Sequence, residues 1–389
     1  MDRFCFVQLY HISERGGGAE VQANYLSLEL IKRGYDVHYI CQTPNKTKEN
    51  TSSNISGVTV HCLPSGDTLS KHIFSQIEEL LIQLRPTIII ERMSSSFGLP
   101  IIRARNKIEG KYVWICTDND SPYIFASVNK NYRKLSLLKF LYAFPRAFRI
   151  DMIRFYVNKR ADIIFSQNEL QKRFIKKNFG RRSSRMISGH PFSKTNIPIE
   201  DRFKKKKILW CGNLGKHKRP EMFIQLANEM QDSEIEFVMI GGHYDTNYTS
   251  KIFQNKPKNL ALTGQLSFEE SLAYFDEATL LVNSSTSEGF SNTYIQSWLR
   301  GVPTLVFGAN PNQVITKNKL GYDLSSIDEA KTAINKLLSN FELYQELSKN
   351  SFQYGVTNHS LEAMTDSFLY AISKRKFQSQ FFINYENKH

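Results

Sequence analysis

The stretch FCFVQLYHISERGGGAEVQANYLSLELIKRGYDVHYIC, residues 4–41, holds four patterns in succession. An apolar run is followed by a glycine-rich segment, then by apolar side chains at helical spacing, and then by a second apolar run. The side chains at helical spacing, which lie on one side of the predicted helix, are Val21, Tyr25, Leu28 and Ile31. The stretch therefore predicts a strand, a loop, an amphipathic helix and a second strand, which together form a βαβ unit.

Strand-like runs alternate with helical or polar segments along the rest of the chain. In the first half they are VTVHCL, TIIIER, YVWICT and ADIIFSQ, and in the second half ILWCG, EFVMIGG, LALTG, TLLVNSS and PTLVFG. Alternation of this kind is typical of mostly parallel sheets covered by helices. The fold prediction is α/β, with two Rossmann-like, doubly wound domains facing a cleft.

The domain boundaries follow from the length and from one lapse in the pattern. A chain of 389 residues exceeds one ordinary compact core. Around 181–207 the alternation gives way to Arg, Ser, Pro and Lys. We therefore place the first domain at 1–190, a linker at 191–207 and the second domain at 208–355. Residues 356–389 are expected to form a helix that returns to the first domain, followed by a polar tail.

Composition restricts the partners and the compartment. The formal net charge of +14 favours anionic partners, namely nucleic acid, an anionic lipid surface or a phosphorylated substrate. No helix-turn-helix, zinc knuckle or aromatic sheet motif accompanies the charge, so no nucleic acid is expected. The five cysteines form no C-x-x-C pair, which is typical of reduced thiols in a cytoplasmic protein. The N-terminus does not resemble a signal peptide, and no apolar run reaches the ~18 residues that span a bilayer.

Gly16, Gly17 and Gly18 lie between the first predicted strand and helix. Glycines let a backbone approach a ligand closely, and the N–H groups that begin a helix favour an anion. A dinucleotide fingerprint would need Gly or Ala where Val21 stands, and the second strand ends without an acid for a ribose. The pattern thus favours a phosphate of another ligand, with a plain tight turn as the alternative.

A second loop, CGNLGKHKRPE at 211–221, also follows a predicted strand. It carries Lys216, Lys218 and Arg219 beside glycines, and cations at a strand end suit a diphosphate. A solvated basic turn is the alternative.

A third segment, SEGFSNTYIQSW at 287–298, places Glu288 before the predicted start of a helix. The main-chain amides of 289–292 can bind phosphates or sugar hydroxyls at that start. Gln296 lies one turn further into the helix, where an exposed helical Gln is the alternative interpretation.

These motifs together resemble glycosyltransferase family 4. The resemblance is carried by GGAE at 17–20, G-x-L-x-x-x-K at 212–218, TG at 263–264 and SEGFSNTYIQSWLRGVP at 287–303. It implies the GT-B fold, with a nucleotide-sugar donor mainly on the C-terminal domain and an acceptor mainly on the N-terminal one. It also implies transfer with retention at the anomeric carbon, without a metal or another cofactor.

The resemblance also implies roles for single residues. Lys218 matches the lysine that binds the diphosphate, and Glu288 matches the first acid of an E-x7-E motif, which holds the donor sugar. The implied catalytic residues are Glu288, Lys218 and Asp118. The implied donor-binding residues are Gly17, Gly18, Gly212, Asn213, Lys218, Thr263, Gly264, Glu288, Gly289, Phe290, Ser291, Asn292, Thr293 and Gln296.

Two departures from the family pattern concern the donor. Asn213 stands where an Arg is usual, so one phosphate cation is missing unless Lys216 or Arg219 replaces it. Gln296 stands at the second acid of E-x7-E, which faces the nucleotide ribose. A Gln oxygen can still accept a hydroxyl proton, but it brings no charge.

A third departure, TDND at 117–120, stands where the family usually has a His. Asp118 is interpreted as an orienting or acceptor-facing acid, and Asp120 as a further acceptor-side candidate. A D-x-D metal site and a structural cap are the alternatives. Arg92 and His190 are also acceptor-side or cleft candidates, with a surface salt bridge and a packed or exposed histidine as their alternatives.

From Lys130 to Arg160 the chain interleaves basic residues with Leu, Phe, Ile and Tyr, and Asp151 is the only acid. Such a segment can lie on an anionic membrane surface. Two helices that pack their apolar faces into the first domain are the alternative, and both interpretations can hold together.

The sequence thus predicts a glycosyltransferase that moves a sugar from a nucleoside diphosphate sugar to a glycan or lipid-linked acceptor. The expected setting is cell-surface polysaccharide biosynthesis, in the cytoplasm and peripherally on the inner face of the membrane. A sugar-nucleotide epimerase on the same fold, and a non-catalytic partner subunit, are the alternatives.

Overall fold

The computed structural model describes residues 2–14, 16–93, 95–192, 197–242, 246–254 and 256–386. The chain divides into two compact units, one of Met1–Gly189 with Leu361–His389 and the other of His190–Ser360.

The first unit is built on an eight-stranded sheet. Its strands are β1 (Arg3–Val7), β2 (Asp36–Thr43), β3 (Thr51–Ile55), β4 (Val58–Pro64), β5 (Ile88–Arg92), β6 (Lys111–Ile115), β7 (Ile163–Ser166) and β8 (Ser184–Arg185). They lie in the order β3-β4-β2-β1-β5-β6-β7-β8, and only β3 and β4 pair antiparallel. The chain winds outward from β1 through β2 to β4 and then crosses to β5, which is the doubly wound pattern.

Six helices cover this sheet before the chain enters the second unit. They are α1 (Gly18–Lys32), α2 (Lys71–Leu84), α3 (Gly98–Arg105), α4 (Ala126–Lys134), α5 (Leu137–Arg160) and α6 (Glu169–Phe179). Successive residues of β1 pack into two separate cores, Cys5 with α2 on one side and Phe6 with α1 on the other. Because both faces are covered, these strands are continuously apolar instead of alternating.

The second unit repeats the pattern with a six-stranded sheet. Its strands are β9 (Lys207–Cys211), β10 (Glu236–Ile240), β11 (Leu260–Gly264), β12 (Leu280–Asn283), β13 (Thr304–Val306) and β14 (Gly321–Asp323). All pairs are parallel, in the order β11-β10-β9-β12-β13-β14. This is the Rossmann strand order, so the prediction of two Rossmann-like, doubly wound domains is confirmed.

The helices of the second unit are α7 (Ile199–Lys205), α8 (Pro220–Glu229), α9 (Thr246–Ile252), α10 (Phe268–Glu277), α11 (Asn292–Trp298), α12 (Val314–Lys317), α13 (Ile327–Ser339) and α14 (Phe341–His359). The segment predicted as a linker, 191–207, contains α7, although 193–196 lie outside the described residues. Arg202 of α7 is buried and donates to the main-chain oxygens of Arg300 and Gly301, which ties α7 to this unit. Helix α14 continues through the boundary predicted at 355.

The last helix, α15 (Leu361–Glu386), packs into the first unit. Met364 and Phe368 are fully buried in its core, where the Phe368 and Phe165 rings stack with centroids 5.3 Å apart. Within the part of the chain that the structure describes, no helix has the length and apolar character needed to cross a membrane.

The predicted apolar side of α1 packs against the core through the partly buried Tyr25, Leu28 and Ile31. Ala23, Leu26 and Leu30 are fully buried, whereas the predicted Tyr25 and Leu28 are only half-buried. The reason is that α1 packs against α15 as well as against the sheet, and this second contact leaves no trace in the periodicity of α1 itself.

Candidate functional site

The carboxyl ends of β9 and β12 lie side by side where the strand order of the second unit reverses. These strands are paired, with Ile208 opposite Leu280, and they continue into the loops 212–219 and 284–291. Ligands of open parallel sheets bind at such reversal points. The topology therefore brings two of the predicted donor motifs to one place.

Hydrogen bonds join these two loops directly. The Thr286 main-chain N–H donates to the His217 oxygen at 2.9 Å, and Ser284 Oγ donates to the Lys218 oxygen at 2.7 Å. Arg219 donates from Nε to the Ser284 oxygen at 2.6 Å and from Nη2 to the Phe307 oxygen at 2.8 Å. Arg219 therefore holds the loops together, and its replacement of the missing phosphate cation stays a prediction.

Lys218 and Glu288, both predicted to be catalytic, form an ion pair between these loops. Lys218 Nζ lies 2.5 Å from Glu288 Oε1, and the side chains are 20% and 13% exposed. Ser285 Oγ donates to the same carboxylate oxygen at 2.7 Å. An ammonium and a carboxylate in adjacent positions can bind the diphosphate and the sugar hydroxyls of one ligand.

Helix α11 begins at Asn292, one residue after its N-cap Ser291, as the sequence predicted. Two buried side chains anchor it, because Tyr294 Oη donates to the Ala309 oxygen at 2.7 Å and Trp298 Nε1 donates to Thr304 Oγ1 at 3.0 Å. The Ser291 and Thr293 hydroxyls are hydrogen-bonded to each other at 2.9 Å. The Phe290 ring packs on His359 with centroids 4.8 Å apart.

Gln296 lies on this anchored helix and is 7% exposed. Its main-chain oxygen accepts a hydrogen bond from Arg300 Nη1 at 3.2 Å. Among the described residues its side-chain amide has no hydrogen-bond partner. Neither Oε1 nor Nε2 of Gln296 is a fully buried atom, so a ligand hydroxyl can reach this amide.

The remaining donor candidates of this unit lie at the ends of β9, β10 and β11. The Gly212 N–H donates to the Ile240 oxygen, and the Gly241 N–H donates to the Gly264 oxygen, both at 3.0 Å. A Cβ atom on Gly241 would lie 2.1 Å from the Gly212 oxygen, so the two loops need glycine to approach this closely. Thr263 Oγ1 bonds the Gly264 oxygen at 3.0 Å, and the Asn213 oxygen accepts the Gly215 N–H at 2.7 Å.

Gly17 and Gly18 lie in the first unit, at the start of α1. Gly17 is the N-cap, with φ of −147°, and Gly18 is the first helical residue. A Cβ atom on Gly17 would lie 2.4 Å from Glu20 Oε2, so glycine lets the Glu20 carboxylate fold back over the helix start. A carboxylate at this position is stabilised by the positive end of the helix.

The Asp118 carboxylate is hydrogen-bonded to the turn that follows it. Its Oδ1 accepts the N–H groups of Asp120 at 2.9 Å and Ser121 at 2.6 Å, and its Oδ2 accepts the Ser121 hydroxyl at 2.6 Å. This is the structural cap that the sequence left open as an alternative. The catalytic role of Asp118 and the acceptor role of Asp120 stay predictions. The described residues contain no cluster of three His, Cys, Asp or Glu side chains suited to a metal.

Arg92, at the end of β5, is buried, and burial lowers its pKa to about 10. Nη2 lies 3.4 Å from Ser188 Oγ, whereas Nε and Nη1 have no hydrogen-bond partner among the described residues. Arg92 therefore does not form the surface salt bridge that was its alternative interpretation.

His190, in the second unit, is also buried. Its N–H donates to the His359 oxygen at 3.0 Å, and its ring stacks on Phe268 with centroids 5.9 Å apart. Burial lowers the pKa of His190 to about 3, so the imidazole is uncharged at neutral pH.

Two residues of these sites were missed by sequence reasoning. Ser285 contacts the Glu288 carboxylate, and Glu20 lies over the glycine loop. Glu20 had a usable signal, because an acid at the third position of a helix commonly reaches back to the N-cap. Ser285 had none, because its contact depends on the path of the loop.

Solved structures similar to this chain share its fold over nearly the whole length. Sucrose-phosphate synthase from Thermosynechococcus elongatus has 14% identity and a TM-score of 0.71, covering 99% of this chain and 100% of that chain. Anabaena HepE in complex with UDP-glucose has 10% identity and a TM-score of 0.70, and the match covers 96% of this chain and 99% of that chain. WaaG, a glycosyltransferase involved in lipopolysaccharide biosynthesis, has 13% identity and a TM-score of 0.68, and the match covers 95% of this chain and 98% of that chain. The fold is therefore that of the GT-B glycosyltransferases.

Family comparison assigns both halves of the chain. Residues 16–187 match the family described as Glycosyltransferase Family 4, and residues 193–354 match the glycosyl transferases group 1. The chain belongs to the group 1 glycosyltransferases of the family 4 type, which confirms the resemblance seen in its motifs.

Proposed function

We propose that the protein transfers a sugar from a nucleoside diphosphate sugar to a glycan or lipid-linked acceptor, with retention, during cell-surface polysaccharide assembly. The observation that carries the proposal is the Lys218–Glu288 pair at the strand-order reversal of the second unit. The HepE structure holds UDP-glucose and WaaG is involved in lipopolysaccharide biosynthesis, and both have this fold.

In the proposed chemistry Lys218 and Glu288 have separate roles. The bond between the anomeric carbon and the diphosphate oxygen breaks, the acceptor hydroxyl oxygen bonds to the same face of that carbon, and the hydroxyl proton passes to the departing diphosphate. Lys218 stabilises the negative charge that develops on the departing diphosphate. Glu288 accepts hydrogen bonds from the sugar hydroxyls, and Gln296 accepts one from the ribose. No metal is required, so a chelator should leave the rate unchanged.

The charge pair also requires an exchange of partners when the donor binds. In the structure Lys218 neutralises Glu288, with Ser285 as a second hydrogen-bond donor to the same oxygen. The diphosphate replaces Glu288 as the partner of Lys218, and the sugar hydroxyls replace Lys218 as partners of Glu288. Each ionic group therefore stays paired in both states, which limits the desolvation cost of binding.

We further propose that α4 and α5 dock the protein on the inner face of the cell membrane. Leu138 and Tyr142 of α5 are 81% and 91% exposed, and nine Lys or Arg side chains accompany them between residues 130 and 160. Asp151, the only acid there, is buried and accepts the N–H groups of Ser127 and Val128 at 3.0 and 2.9 Å. The exposed surface of this segment is therefore apolar and cationic, which suits anionic head groups.

The experiment is a transfer assay with purified protein, a panel of nucleotide sugars and a crude lipid-linked acceptor. Lys218→Met and Glu288→Gln should each remove transfer, and Lys336→Met, at an exposed lysine of α13, is the control. Donor converted to an epimer without acceptor would instead identify an epimerase. Absence of turnover, with glycan unchanged in cells carrying Glu288→Ala, would identify a non-catalytic subunit.

A further inference from the structure

Cys41 and Cys62 lie directly opposite each other on neighbouring parallel strands of the first unit. The register pairs Cys41 of β2 with Cys62 of β4. Both side chains pack in the core on the α1 side of the sheet, 1% and 5% exposed. Sequence separation gave no indication of this pair, because it is created by the strand order.

The spacing and the surroundings of the two thiols suit a covalent bond between them. Neighbouring strands lie about 4.8 Å apart, and disulfides join Cα atoms that are about 4.4–6.8 Å apart. The neighbouring Cys41 thiol, helped by the Lys48 ammonium, lowers the pKa of Cys62. Cys62 is the more accessible of the two thiols, 5% against 1% exposed, so a small oxidant reaches it first.

We propose that Cys41 and Cys62 are a redox modification site that a peroxide converts reversibly to a disulfide. The Cys62 thiolate attacks the peroxide, whose O–O bond breaks, which gives a sulfenic acid and hydroxide. The Cys41 sulfur then attacks the Cys62 sulfur, the S–O bond breaks, and the departing hydroxide takes the Cys41 proton as water. The two thiols lose two electrons and the peroxide is reduced to two molecules of water.

The Cys41–Cys62 disulfide would change the contacts of the loop that precedes Gly16, Gly17 and Gly18. The Gln42 main-chain N–H, next to Cys41, donates to the Leu9 oxygen of this loop at 2.9 Å. Glu14 of the same loop accepts from Thr43 Oγ1 at 2.6 Å and from Lys48 Nζ at 2.7 Å. Drawing Cys41 to bonding distance of Cys62 displaces β2 from these contacts with the loop, so the loop becomes less protected. An effect on transfer through Gly17 and Gly18 rests on the proposed function, whereas the disulfide does not.

The test treats the reduced full chain with graded hydrogen peroxide, blocks the remaining thiols with N-ethylmaleimide and maps the digest by mass spectrometry. We expect a cross-linked peptide containing Cys41 and Cys62, two hydrogens lighter than the sum of its parts and lost on reduction. Hydrogen exchange of residues 9–14 should be faster in the oxidised protein. Cys41→Ser should leave a Cys62 sulfenic acid that dimedone traps.

Cys5→Ser is the matched control, because Cys5 is a buried thiol of the neighbouring strand β1, and it should leave the cross-link unchanged. A link between other cysteines, irreversible oxidation of Cys62 without a link, or unmodified Cys41 and Cys62 while other thiols react would each overturn the proposal. None of these readouts depends on sugar transfer, so they separate this proposal from the proposed function.

Discussion

The Lys218 ammonium and the Glu288 carboxylate, 70 residues apart in the chain, meet at 2.5 Å between the loops that follow β9 and β12. Both are partly exposed, so the pair itself contributes little to stability, about 1 kcal/mol or less. Its value lies in holding two opposite charges where one ligand can bind both.

Lys218→Met should lower kcat about a hundredfold or more, because the departing diphosphate loses its cation. The variant should remain as stable as the parent in thermal unfolding, since the pair is partly exposed. Lys336→Met, at an exposed lysine of α13, should keep most of the activity. Equal losses in both variants would mean that general basicity, and not the position of Lys218, matters.

Gln296→Ala should weaken nucleoside diphosphate binding about two- to tenfold, the loss of one neutral hydrogen bond. The same substitution should have no effect on binding of the 2′,3′-dideoxy nucleotide, which lacks the ribose hydroxyls. Calorimetry with both nucleotides measures the difference. Gln225→Ala, an exposed Gln of α8, is the control. An equal loss with both nucleotides would exclude the ribose contact.

Asp118→Ala should lower the free energy of unfolding by about 1–3 kcal/mol, because two main-chain N–H groups and the Ser121 hydroxyl lose their acceptor. Asp118→Asn should restore most of it, since an amide oxygen still caps the turn. The Asn variant therefore removes the charge of Asp118 but keeps the turn intact. Its kcat tests the prediction that Asp118 is catalytic. A loss of about a hundredfold or more with an intact fold would assign Asp118 to the reaction.

Glu91 should make the protein less stable as the pH rises from about 4.5 to about 7. The carboxyl is fully buried, and burial raises its pKa from the usual 4.5 to about 7, despite hydrogen bonds from Ser95 and Tyr112. The stabilisation by the protonated Glu91 carboxyl is complete below a pH of about 4.5. It is lost as the pH rises through the pKa of the folded state, and it is absent above a pH of about 7.

The measurement compares urea unfolding of the parent and Glu91→Gln across this range. Because the Gln variant cannot ionise, the difference between the two proteins should change by up to about 3 kcal/mol. The buried His61 and His190, whose pKa values are lowered to about 4 and about 3, act in the opposite direction in both proteins and cancel in the difference. A difference that does not vary with pH would contradict the shift.

Leu138→Asn with Tyr142→Asn should reduce sedimentation with anionic phosphatidylglycerol vesicles severalfold, because these side chains supply exposed apolar area. Binding of the parent should also fall in high salt, since the basic residues act through a screened field. Tyr370→Asn, a 60% exposed aromatic of α15, is the control. Binding that is unchanged in the double variant and in high salt would exclude docking through α5.

The sequence was sufficient for the features that depend on strand ends. Periodicity located β9 and β12, and parallel strands with the Rossmann order must bring their carboxyl ends together, which placed Lys218 near Glu288. It was insufficient where a side chain turns back on its own loop. The bonds of Asp118 depend on the main-chain path at Asp120 and Ser121, and a D-x-D pattern is the same whether or not the chain turns there.

Burial of charge was also beyond the sequence. Arg92 follows an apolar strand and looks like any cation at a strand end. Its burial depends on distant segments, among them Ser188, 96 residues away along the chain. The full burial of Ala23, Leu26 and Leu30 in α1 has a similar origin, because the second contact of α1 is made by a helix more than 300 residues later.

That late helix has a consequence for biosynthesis. Met364 and Phe368 of α15 fill the core between β1 and β7, yet they leave the ribosome only after the whole second unit has been made. The unit that is started first is thus the one completed last. During translation the sheet of the first unit stays incomplete, with apolar surface exposed, while the segment 190–360 can already fold. A nascent chain stalled near residue 360 should therefore be a preferred client for chaperones that bind exposed apolar strands.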